Sequence, residues 1–564
     1  MSHTGTIPTY DYVIIGSGFG GSVSAMRLIE KGYSVLVLER GRRYNDQDFP
    51  STNWIFWKFL WLPPLRCFGM LQISPFREFW ALHYSGVGGG SLGYANVIMR
   101  PSDHHFSNPA WKYPVDWKAV LQPHYETARR ILRPVPNQAY WPSDHVIKDI
   151  ADDLGMGHTF SPSQVSVYFG EEGVEVPDPY FDGQGPPRKG CIQCGGCMIG
   201  CRYNAKNTLV KNYLYFAEKW GAVVWPECEA ADICPLQAGQ ADGARYEVIY
   251  NRPSAWLRKP SRRVRARNVV LSAGTLGTLR LLYRCRDITR SLPRLSPRLG
   301  DMVRTNSETI LGVASRDLKT DYSKGLAITS IFQPDEVTTI EPVRYPDGSS
   351  LLRYLSAPLV ESGEKPLARF LKMLGKIIRH PIDFAITHIF PGWAYRSTIL
   401  LVMQTRDSHF RLRLGRSFLT LFRRALVSSM DGNGRASAKI EIGYKVTYEF
   451  ARRMRGIPAG TVPEALLNAP MTAHLLGGCP FGQDDQEGVI DLHCQVHNYP
   501  GLYVIDGTIM PANPGVNPSL TITAMAEYAM SHIPPKPGQP VREPLGITRP
   551  AESQEASQTL ESVG

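Results

Sequence analysis

The sequence predicts an α/β protein with more than one domain, and three observations support this prediction. Residues 10–40 read as a strand, a glycine-rich turn, a helix and a second strand. Residues 268–283 repeat the order of strand, small-residue turn and helix. Such alternation is typical of a sheet covered by crossover helices. The chain of 564 residues is also too long for one hydrophobic core, so we expect at least two domains.

Composition and charge narrow the class of protein. The apolar fraction of 43% and the charged fraction of 20% are ordinary for a globular protein. The net charge of +11 comes largely from scattered arginines, for example at 262–267 and 411–416. No nucleic-acid motif accompanies them, so we expect no nucleic-acid partner. A basic solvated surface is favoured, and an anionic membrane surface is the alternative partner.

The N-terminus and the apolar runs bear on location. Residues 1–10 are short and polar, without the charged and then apolar layout of a secretory signal. No run of about 18 or more apolar residues is present, so no membrane-spanning helix is expected. The sequence predicts a cytoplasmic protein, with peripheral contact to the inner face of the membrane as an open alternative.

A dinucleotide-binding motif follows the first strand directly. Gly16 permits a tight turn, Gly18 lets the backbone approach a pyrophosphate, and Gly21 allows close packing of helix on strand. The N-terminus of the following helix attracts phosphate charge. The second strand ends on Glu39, which can accept hydrogen bonds from the ribose hydroxyls. This order predicts a Rossmann unit, although the motif alone does not separate FAD from NAD.

Three segments elsewhere in the chain decide the cofactor. They read GVGGGS at 86–91, VVLSAGTLG at 269–277, and GLYVIDG at 501–507 followed by GVNPSLT at 515–521. These segments resemble the glucose–methanol–choline (GMC) oxidoreductases, and among them the bacterial cholesterol oxidases. The resemblance implies a flavoprotein that uses FAD, which we expect to be held without a covalent bond.

The resemblance also implies which residues lie at the cofactor. The glycine loop near residue 88 passes close to the flavin, Asn96 contacts the isoalloxazine ring, and the 269–277 turn lies under the adenine half. A helix N-terminus after Pro518 faces the pyrimidine edge, where its dipole favours the anionic reduced flavin. With the N-terminal motif, the predicted cofactor residues are Gly16, Gly18, Gly21, Glu39, Gly88, Gly89, Ser91, Asn96, Ala273, Gly274, Asp506, Gly507, Asn517 and Pro518.

Two residues form a predicted catalytic pair. His474 stands in AHLLGG, which is similar to the His-Pro-Leu-Gly-Gly of the family, with Leu475 where proline is usual. Asn517 corresponds to the second active-site position of the family, which is asparagine in cholesterol oxidases. Hydride can leave an alcohol carbon for the flavin only as the hydroxyl proton is accepted or held. A histidine does this near neutrality, and an amide orients the hydroxyl.

A third catalytic residue is implied for isomerisation. Cholesterol oxidases carry a carboxylate that shuttles a proton as the 5-ene steroid becomes the 4-ene. The segment IEPVRYPDG at 340–348 loosely resembles the stretch that carries it, and this points to Glu341. Glu336 is a competing candidate, and a solvated carboxylate at the end of a strand is the structural alternative.

Four cysteines have the spacing of a bacterial ferredoxin. Cys191, Cys194, Cys197 and Cys201 could wrap a [4Fe–4S] cluster. Arg202 replaces the usual proline, however, and similar cysteine-rich turns occur in GMC proteins without a cluster. We therefore favour a structural turn of reduced cysteines and no metal. The cluster is the main alternative, and zinc or a disulfide is the remaining one.

Two apolar segments bear on the substrate. Residues 51–75 are rich in Trp, Phe and Leu and favour a loop with a short helix over a cleft rather than a sheet strand. Residues 367–384 have apolar positions at helical spacing with basic residues between them. They predict either a membrane contact surface or a lid and a core helix. Both interpretations suit a bulky hydrophobic alcohol, such as a sterol.

The organisation of the chain completes the prediction. We expect a discontinuous FAD-binding domain at 1–50, 205–310 and 470–533, and a substrate-binding domain with a mixed sheet at 51–204 and 311–469. Residues 534–564 are rich in Pro, Glu, Ser and Gln and predict a disordered tail.

The predicted reaction is oxidation of the 3β-hydroxyl of a sterol, with isomerisation and with dioxygen as acceptor. One alternative is an FAD- and Fe–S-containing alcohol dehydrogenase that acts on another bulky hydrophobic alcohol and passes electrons to a carrier. The other is a non-catalytic protein that binds flavin or lipid. The oligomeric state stays open.

Overall fold

A computed structural model describes residues 7–547, except 112–114, 241, 257–259, 361–364 and 431–438. The helices in this part of the chain are Phe19–Glu30 (α1), Phe56–Phe59 (α2), Asp103–Phe106 (α3), Trp117–Leu132 (α4), Pro142–Asp153 (α5), Tyr213–Lys219 (α6), Gly274–Asp287 (α7), Pro366–Arg379 (α8), Pro381–His388 (α9), Trp393–Arg396 (α10), Glu441–Met454 (α11), Val462–Leu467 (α12) and Ser519–Ser531 (α13).

The strands in the same ranges are Thr9–Ile15 (β1), Val35–Leu38 (β2), Trp61–Leu62 (β3), Cys67–Phe68 (β4), Leu71–Pro75 (β5), Trp80–Tyr84 (β6), Val135–Pro136 (β7), Ser161–Pro162 (β8), Gln164–Val165 (β9), Glu175–Val176 (β10), Arg188–Lys189 (β11), Val223–Trp225 (β12), Glu229–Pro235 (β13), Tyr246–Asn251 (β14), Arg262–Leu271 (β15), Thr309–Ser315 (β16), Ser330–Ile331 (β17), Thr338–Val343 (β18), Ser356–Pro358 (β19), Ser397–Gln404 (β20), Arg411–Gly415 (β21), Ala425–Ser429 (β22), Gly456–Thr461 (β23), Met471–Thr472 (β24) and Leu502–Val504 (β25).

The first sheet is the predicted Rossmann unit. Its strand order is β12-β2-β1-β15-β14-β13, and β25 pairs with β15. The pairs β1–β2, β1–β15 and β15–β25 are parallel. Strand β1 is buried from Asp11 to Ile15, which is the burial that a parallel sheet covered on both faces requires. The prediction of an α/β fold with an N-terminal Rossmann unit is confirmed.

The second sheet has the order β18-β20-β16-β23-β19. Its pairings are all antiparallel, which differs from the mixed sheet that we expected. Antiparallel sheets commonly have two faces with different surroundings, and this sheet is of that kind. Leu311 and Val402 pack with residues of α11 in one core cluster, whereas Ile310 and Leu401 face a second cluster and line a large cavity.

Some segments lie with a different sheet from the one that their position in the chain predicts. Helix α4 falls inside the range predicted for the substrate domain, but its apolar side is buried in the core of the Rossmann unit. Tyr125 of α4 donates a hydrogen bond to Thr521 of α13, at 3.0 Å. Within the 51–75 segment, the short helix α2 agrees with the prediction, whereas residues 71–75 form strand β5 and not a loop.

The C-terminal segment is described as far as residue 547. The amide nitrogens of Lys536 and Arg542 donate hydrogen bonds to backbone oxygens at the end of α1, and the guanidinium of Arg27 contacts the Leu545 carbonyl at 3.0 Å. Residues 534–547 therefore pack along α1, although we predicted that the disordered tail begins at 534. Residues 548–564 lie outside the described part of the chain.

None of the helices in the described ranges combines the length and apolar character that crossing a bilayer requires.

Candidate active site

The glycine turn after β1 is built for close backbone approach. Gly16 has φ of +102°, and a Cβ atom there would lie 2.2 Å from the Ser272 carbonyl oxygen. A Cβ atom at Gly21 would lie 2.0 Å from the Gly16 carbonyl oxygen, whereas Gly18 faces open space. Helix α1 begins after Gly18 without a side-chain cap and without an acidic residue in its first turn. Its free N–H groups fit the phosphate of a dinucleotide.

Glu39 joins the first glycine turn to the second. One carboxylate oxygen accepts hydrogen bonds from Ser17 N and Oγ, at 3.1 and 2.7 Å. The other accepts from Gly41 N at 2.9 Å and Gly86 N at 3.3 Å. The structure thus brings Glu39 to the predicted place at the end of β2. Its contact with ribose stays a prediction.

The 86–91 loop lies against the first turn. Gly88 N donates to Ser17 Oγ at 3.0 Å, and a Cβ atom at Gly89 would lie 2.5 Å from Gly18 Cα. Ser91 is fully buried, and its hydroxyl donates to the Gly88 carbonyl at 2.6 Å. Gly88 and Gly89 therefore pack against the first glycine turn, while Ser91 holds the loop in shape, and the contact of all three residues with the cofactor stays a prediction.

Asp506 connects the third predicted segment to α7. Its carboxylate accepts hydrogen bonds from Thr278 Oγ1 at 2.5 Å and Thr508 N at 2.9 Å. Burial raises the pKa of Asp506 above its usual range, and these hydrogen bonds oppose the rise. Ala273 and Gly274, at the start of α7, line the adjacent cavity.

That cavity, about 370 Å³ in volume, separates the Rossmann unit from the second sheet. Its wall is largely apolar, with a few polar groups. The Rossmann side supplies Phe19, Gly90, Gly274, Gly507, Asn517 and Pro518, and the sheet side supplies Ile310, Val343, Ile399 and Leu401. His474 and Leu475 also line it. A cavity of this kind, bordered by a dinucleotide groove, fits a flavin together with an apolar substrate.

His474 is oriented by a carboxylate that the sequence analysis missed. Its Nδ1 atom lies 2.8 Å from Glu308 Oε2. Glu308 is buried and also accepts hydrogen bonds from Ala473 N at 3.0 Å and Thr472 Oγ1 at 3.1 Å. With Nδ1 facing a carboxylate, the ring keeps Nε2 for another partner. Burial opposes protonation of His474, but Glu308 and then Glu341 offset it and raise the pKa of the imidazole above its ordinary value.

Asn517 lines the same cavity and is paired with Glu341. The Asn517 Nδ2 atom donates to Glu341 Oε2 at 3.2 Å. Glu341, on β18, is fully buried, and burial raises its pKa to about 7. The second oxygen of Glu341 and the Asn517 carbonyl oxygen have no hydrogen-bond partner among the described residues. Glu336, the competing candidate, is exposed, and the solvated-carboxylate interpretation of Glu341 does not hold.

Asn96 lines a second cavity, and its contact with the isoalloxazine ring stays a prediction. Its neighbours Ala95 and Val97 line the large cavity, whereas Asn96 lines a smaller one of about 130 Å³. Its amide has no hydrogen-bond partner in the described ranges. Burial raises the pKa of the nearby Cys197 thiol, and Asn96 is among the groups that oppose this rise. Asn96 has a left-handed backbone, with φ of +71°, and its side chain lies on the side of the smaller cavity.

The smaller cavity is also lined by the four cysteines Cys191, Cys194, Cys197 and Cys201. All are free thiols, and burial raises the pKa of Cys194 to about 11. Lys206 Nζ links the cysteine turn to the segment at 92–94 by donating to three carbonyl oxygens, including Cys197 O at 2.9 Å. Within the described ranges, no three His, Cys, Asp or Glu side chains are grouped so that they could hold a metal ion. This arrangement gives the iron–sulfur alternative no support and fits a structural turn.

Comparisons with known proteins agree with this geometry. Residues 407–526 match the family model described as GMC oxidoreductase, and residues 14–44 match an NAD(P)-binding Rossmann-like domain. A cholesterol oxidase from Acinetobacter baumannii is 44% identical over 532 residues, which cover 93% of this chain and 95% of the relative. The chain belongs to the GMC oxidoreductase family.

A second relative supports the same assignment, and a solved structure shares the fold. A cholesterol oxidase from Mycobacterium tuberculosis is 44% identical over 96% of this chain and 93% of its own length. The crystal structure of a pyridoxine 4-oxidase from Mesorbium loti shares the fold, with a TM-score of 0.57, 16% identity, and coverage of 93% of this chain and 99% of that one. Like other GMC oxidoreductases, this protein is an FAD-dependent enzyme that oxidises an alcohol.

Proposed function

We propose that this GMC oxidoreductase oxidises the 3β-hydroxyl group of a cholesterol-like sterol to the ketone and then isomerises the 5-ene product to the 4-ene. The observation that carries the proposal is the pairing of His474 with Glu308 and of Asn517 with Glu341 at one apolar cavity. The relatives named cholesterol oxidase, at 44% identity over most of the chain, support the choice of substrate.

The first step removes the hydroxyl proton. When bound, FAD supplies the acceptor for the hydride that leaves the alcohol carbon. His474 holds the hydroxyl proton through Nε2, while Glu308 fixes the ring from the other side. The Asn517 side chain, whose carbonyl oxygen has no partner among the described residues, orients the hydroxyl. The apolar wall excludes water and accommodates the carbon skeleton.

The second step moves a proton within the steroid. A shift of the double bond from 5-ene to 4-ene requires that a proton leave C4 and another arrive at C6. Glu341 has a raised pKa of about 7, so it can both accept and return a proton near neutrality. Its free oxygen, without a partner in the described ranges, is the atom that would carry the proton.

Dioxygen is the proposed electron acceptor, and the naming of both relatives as oxidases supports it. Anaerobic mixing of the purified enzyme with cholesterol should bleach the visible absorbance of the flavin. Admission of air should restore it, with one hydrogen peroxide formed for each ketone. Bleaching by choline or glucose as fast as by cholesterol would overturn the sterol assignment. Full bleaching without reoxidation in air would overturn the acceptor.

We further propose that the FAD is held without a covalent bond, because the groove offers backbone approach at Gly18 and hydrogen-bonded turns. Acid precipitation should leave the yellow colour in the supernatant. A yellow precipitate would contradict this.

A further inference from the structure

The turn at 305–308, just before β16, contains a buried asparagine that holds the loop leading into Asn517. Asn306 is fully buried. Its Nδ2 atom donates a hydrogen bond to the Val516 carbonyl at 3.0 Å, and its Oδ1 atom accepts one from Gly515 N at 2.9 Å. An amide that bonds two successive backbone groups through both of its polar atoms fixes that stretch of chain in place and in orientation.

The same turn also contacts the segment of His474. Glu308, two residues after Asn306, accepts the hydrogen bond from His474 Nδ1 described above. The Thr305 carbonyl, one residue before Asn306, accepts a hydrogen bond from Thr472 Oγ1 at 3.2 Å. This turn, which we call the positioning turn, therefore holds the segments that carry both members of the proposed catalytic pair.

The backbone of the positioning turn is unusual. Asn306 and Ser307 have φ of +57° and +43°, so two successive residues other than glycine adopt the left-handed conformation. Asparagine tolerates this conformation, whereas serine adopts it at a cost. Such a backbone persists only where the surroundings impose it, and it is found most often at functional sites. Here it occurs where one short turn bonds the loop of Asn517 on one residue and His474 on another.

The loop before Asn517 is also confined by packing. Gly515 has φ of +67°, and a Cβ atom there would lie 2.6 Å from Thr405 Cγ2. Contact with Thr405 limits the loop at this point, whereas the bond from Asn306 to the Val516 carbonyl holds the residue adjacent to Asn517.

We propose that Asn306 is a positioning residue for Asn517, and that the positioning turn sets the spacing between Asn517 and His474. This inference rests on the proposed function, in which these two residues share the substrate hydroxyl, and deepens it by naming the residue that keeps the amide in reach. Among the described residues, the wall of the large cavity includes Asn517 and not Asn306. Asn306 therefore acts through Asn517. Small displacements of a positioned group can slow a reaction by about 100-fold.

The first test is the rate of anaerobic flavin reduction by cholesterol in the FAD-loaded variant Asn306→Gly. Glycine adopts a left-handed backbone without steric cost, so the turn remains while both side-chain hydrogen bonds are lost. We expect reduction to slow by about 10- to 100-fold. In the background of Asn517→Ala, the same substitution should change the rate by less than about twofold, because the group that it positions is gone. Equal slowing in both backgrounds would contradict the proposal.

A matched control is Asn204→Gly. Asn204 also has a left-handed backbone, with φ of +56°, and its Nδ2 atom donates to the Pro187 carbonyl at 3.0 Å. The same exchange of residue types, with loss of a side-chain hydrogen bond to the backbone, should leave flavin reduction within about twofold of the wild-type rate. If Asn306→Gly is no slower than this control, the proposal is wrong.

A second readout needs neither substrate nor turnover. Burial raises the pKa of Glu341 to about 7, and the hydrogen bond from Asn517 opposes this rise. His474 and Glu308 are the charged groups that also influence this carboxyl. If Asn306→Gly displaces Asn517, the pKa of Glu341 should move further upward. Infrared difference spectra of the carboxyl group over a range of pH, with Glu341→Gln as the blank, measure the shift, and an unmoved titration would overturn the proposal.

The variant Asn306→Asp provides the same test if the glycine variant does not fold. Aspartate keeps an oxygen for Gly515 N, but an ionised carboxylate cannot donate to the Val516 carbonyl. Flavin reduction should again be slower, and the slowing should again disappear in the background of Asn517→Ala; slowing that persists there in full would count against the proposal. Failure of the proposed function would be seen separately, because cholesterol would then not bleach the wild-type flavin, whereas the Glu341 titration would still test Asn306.

Discussion

Two buried carboxylates contact the residues His474 and Asn517 of the large cavity, and they differ in their surroundings. Glu308 accepts hydrogen bonds from His474 and from the two residues that precede it, Thr472 and Ala473. Glu341 accepts one, from Asn517, and keeps an oxygen without a partner among the described residues. The first arrangement fixes a neighbour in place, whereas the second leaves a carboxyl group able to exchange a proton. Residues of one type are thus given different tasks by the donors around them.

The largest effect on sterol oxidation is expected from loss of His474, the histidine whose pKa both carboxylates raise. The substitution His474→Ala removes the group that holds the hydroxyl proton. We expect sterol oxidation to slow by about 100- to 10,000-fold, measured as the rate of flavin bleaching with excess cholesterol. FAD content should stay unchanged. A variant that retains more than a tenth of the wild-type rate would remove His474 from the mechanism.

Loss of Glu308 should have a smaller effect of a different kind. In Glu308→Gln, the charge that raises the pKa of His474 is gone, while a hydrogen-bonding side chain remains. We expect oxidation to slow by about 10- to 100-fold and the acidic limb of the pH profile, set by the imidazole, to move to lower pH. The conservative Glu308→Asp should recover part of the rate. An unmoved limb would show that Glu308 is merely structural.

Loss of Glu341 should separate the two steps. In Glu341→Gln, oxidation should continue while the 5-ene ketone accumulates, which chromatography of the products would show. In the wild type, isomerisation needs the ionised carboxylate, so its rate should rise as pH passes upward through about 7. Formation of the 4-ene ketone by the variant at the wild-type rate would assign the proton transfer to another group.

The same substitution should change stability with pH. The pKa of Glu341 is raised on folding to about 7, so its contribution to stability is full below the unfolded value and is lost as pH rises through the folded one. Relative to Glu341→Gln, the wild type should lose up to about 3 kcal/mol of unfolding free energy between pH 4.5 and 8. Urea unfolding at several pH values measures this. A constant difference would contradict the burial of an ionisable group.

The smallest effect is expected in the cysteine cavity. Replacement of Cys194 and Cys201 by serine should leave sterol oxidation within about twofold and lower the unfolding free energy by about 1 kcal/mol. The visible spectrum should stay that of a flavin. Loss of iron and of activity together would show that this cavity, and not only the large one, takes part in electron transfer.

Much of the FAD-binding unit could be predicted from sequence, because its signals are local. Gly16, Gly18 and Gly21 follow one strand directly, and the close approach of Gly21 to the Gly16 carbonyl arises within a few residues. Glu308 could not be found in this way. It stands 166 positions before His474, in no motif, and only the fold brings the two together.

The sequence also does not predict the direction in which a side chain or the face of a helix points. Asn96 follows the predicted glycine loop, but the sequence does not say that its side chain lines the cavity of the cysteines while Ala95 and Val97 line the large one. Helix α8 was predicted as amphipathic, yet periodicity does not say which side meets the protein. The buried Arg369, bonded to α12 carbonyl groups, and the partly buried Met373 mark the side that does.

The division of work between the two carboxylates is tested most directly by the rate of anaerobic flavin reduction by cholesterol in Glu308→Gln and Glu341→Gln, measured side by side by stopped flow. The structure predicts that Glu341→Gln reduces its flavin within about threefold of the wild-type rate and that Glu308→Gln is slower by at least about tenfold. Equal slowing in both variants, or the reverse order, would contradict it.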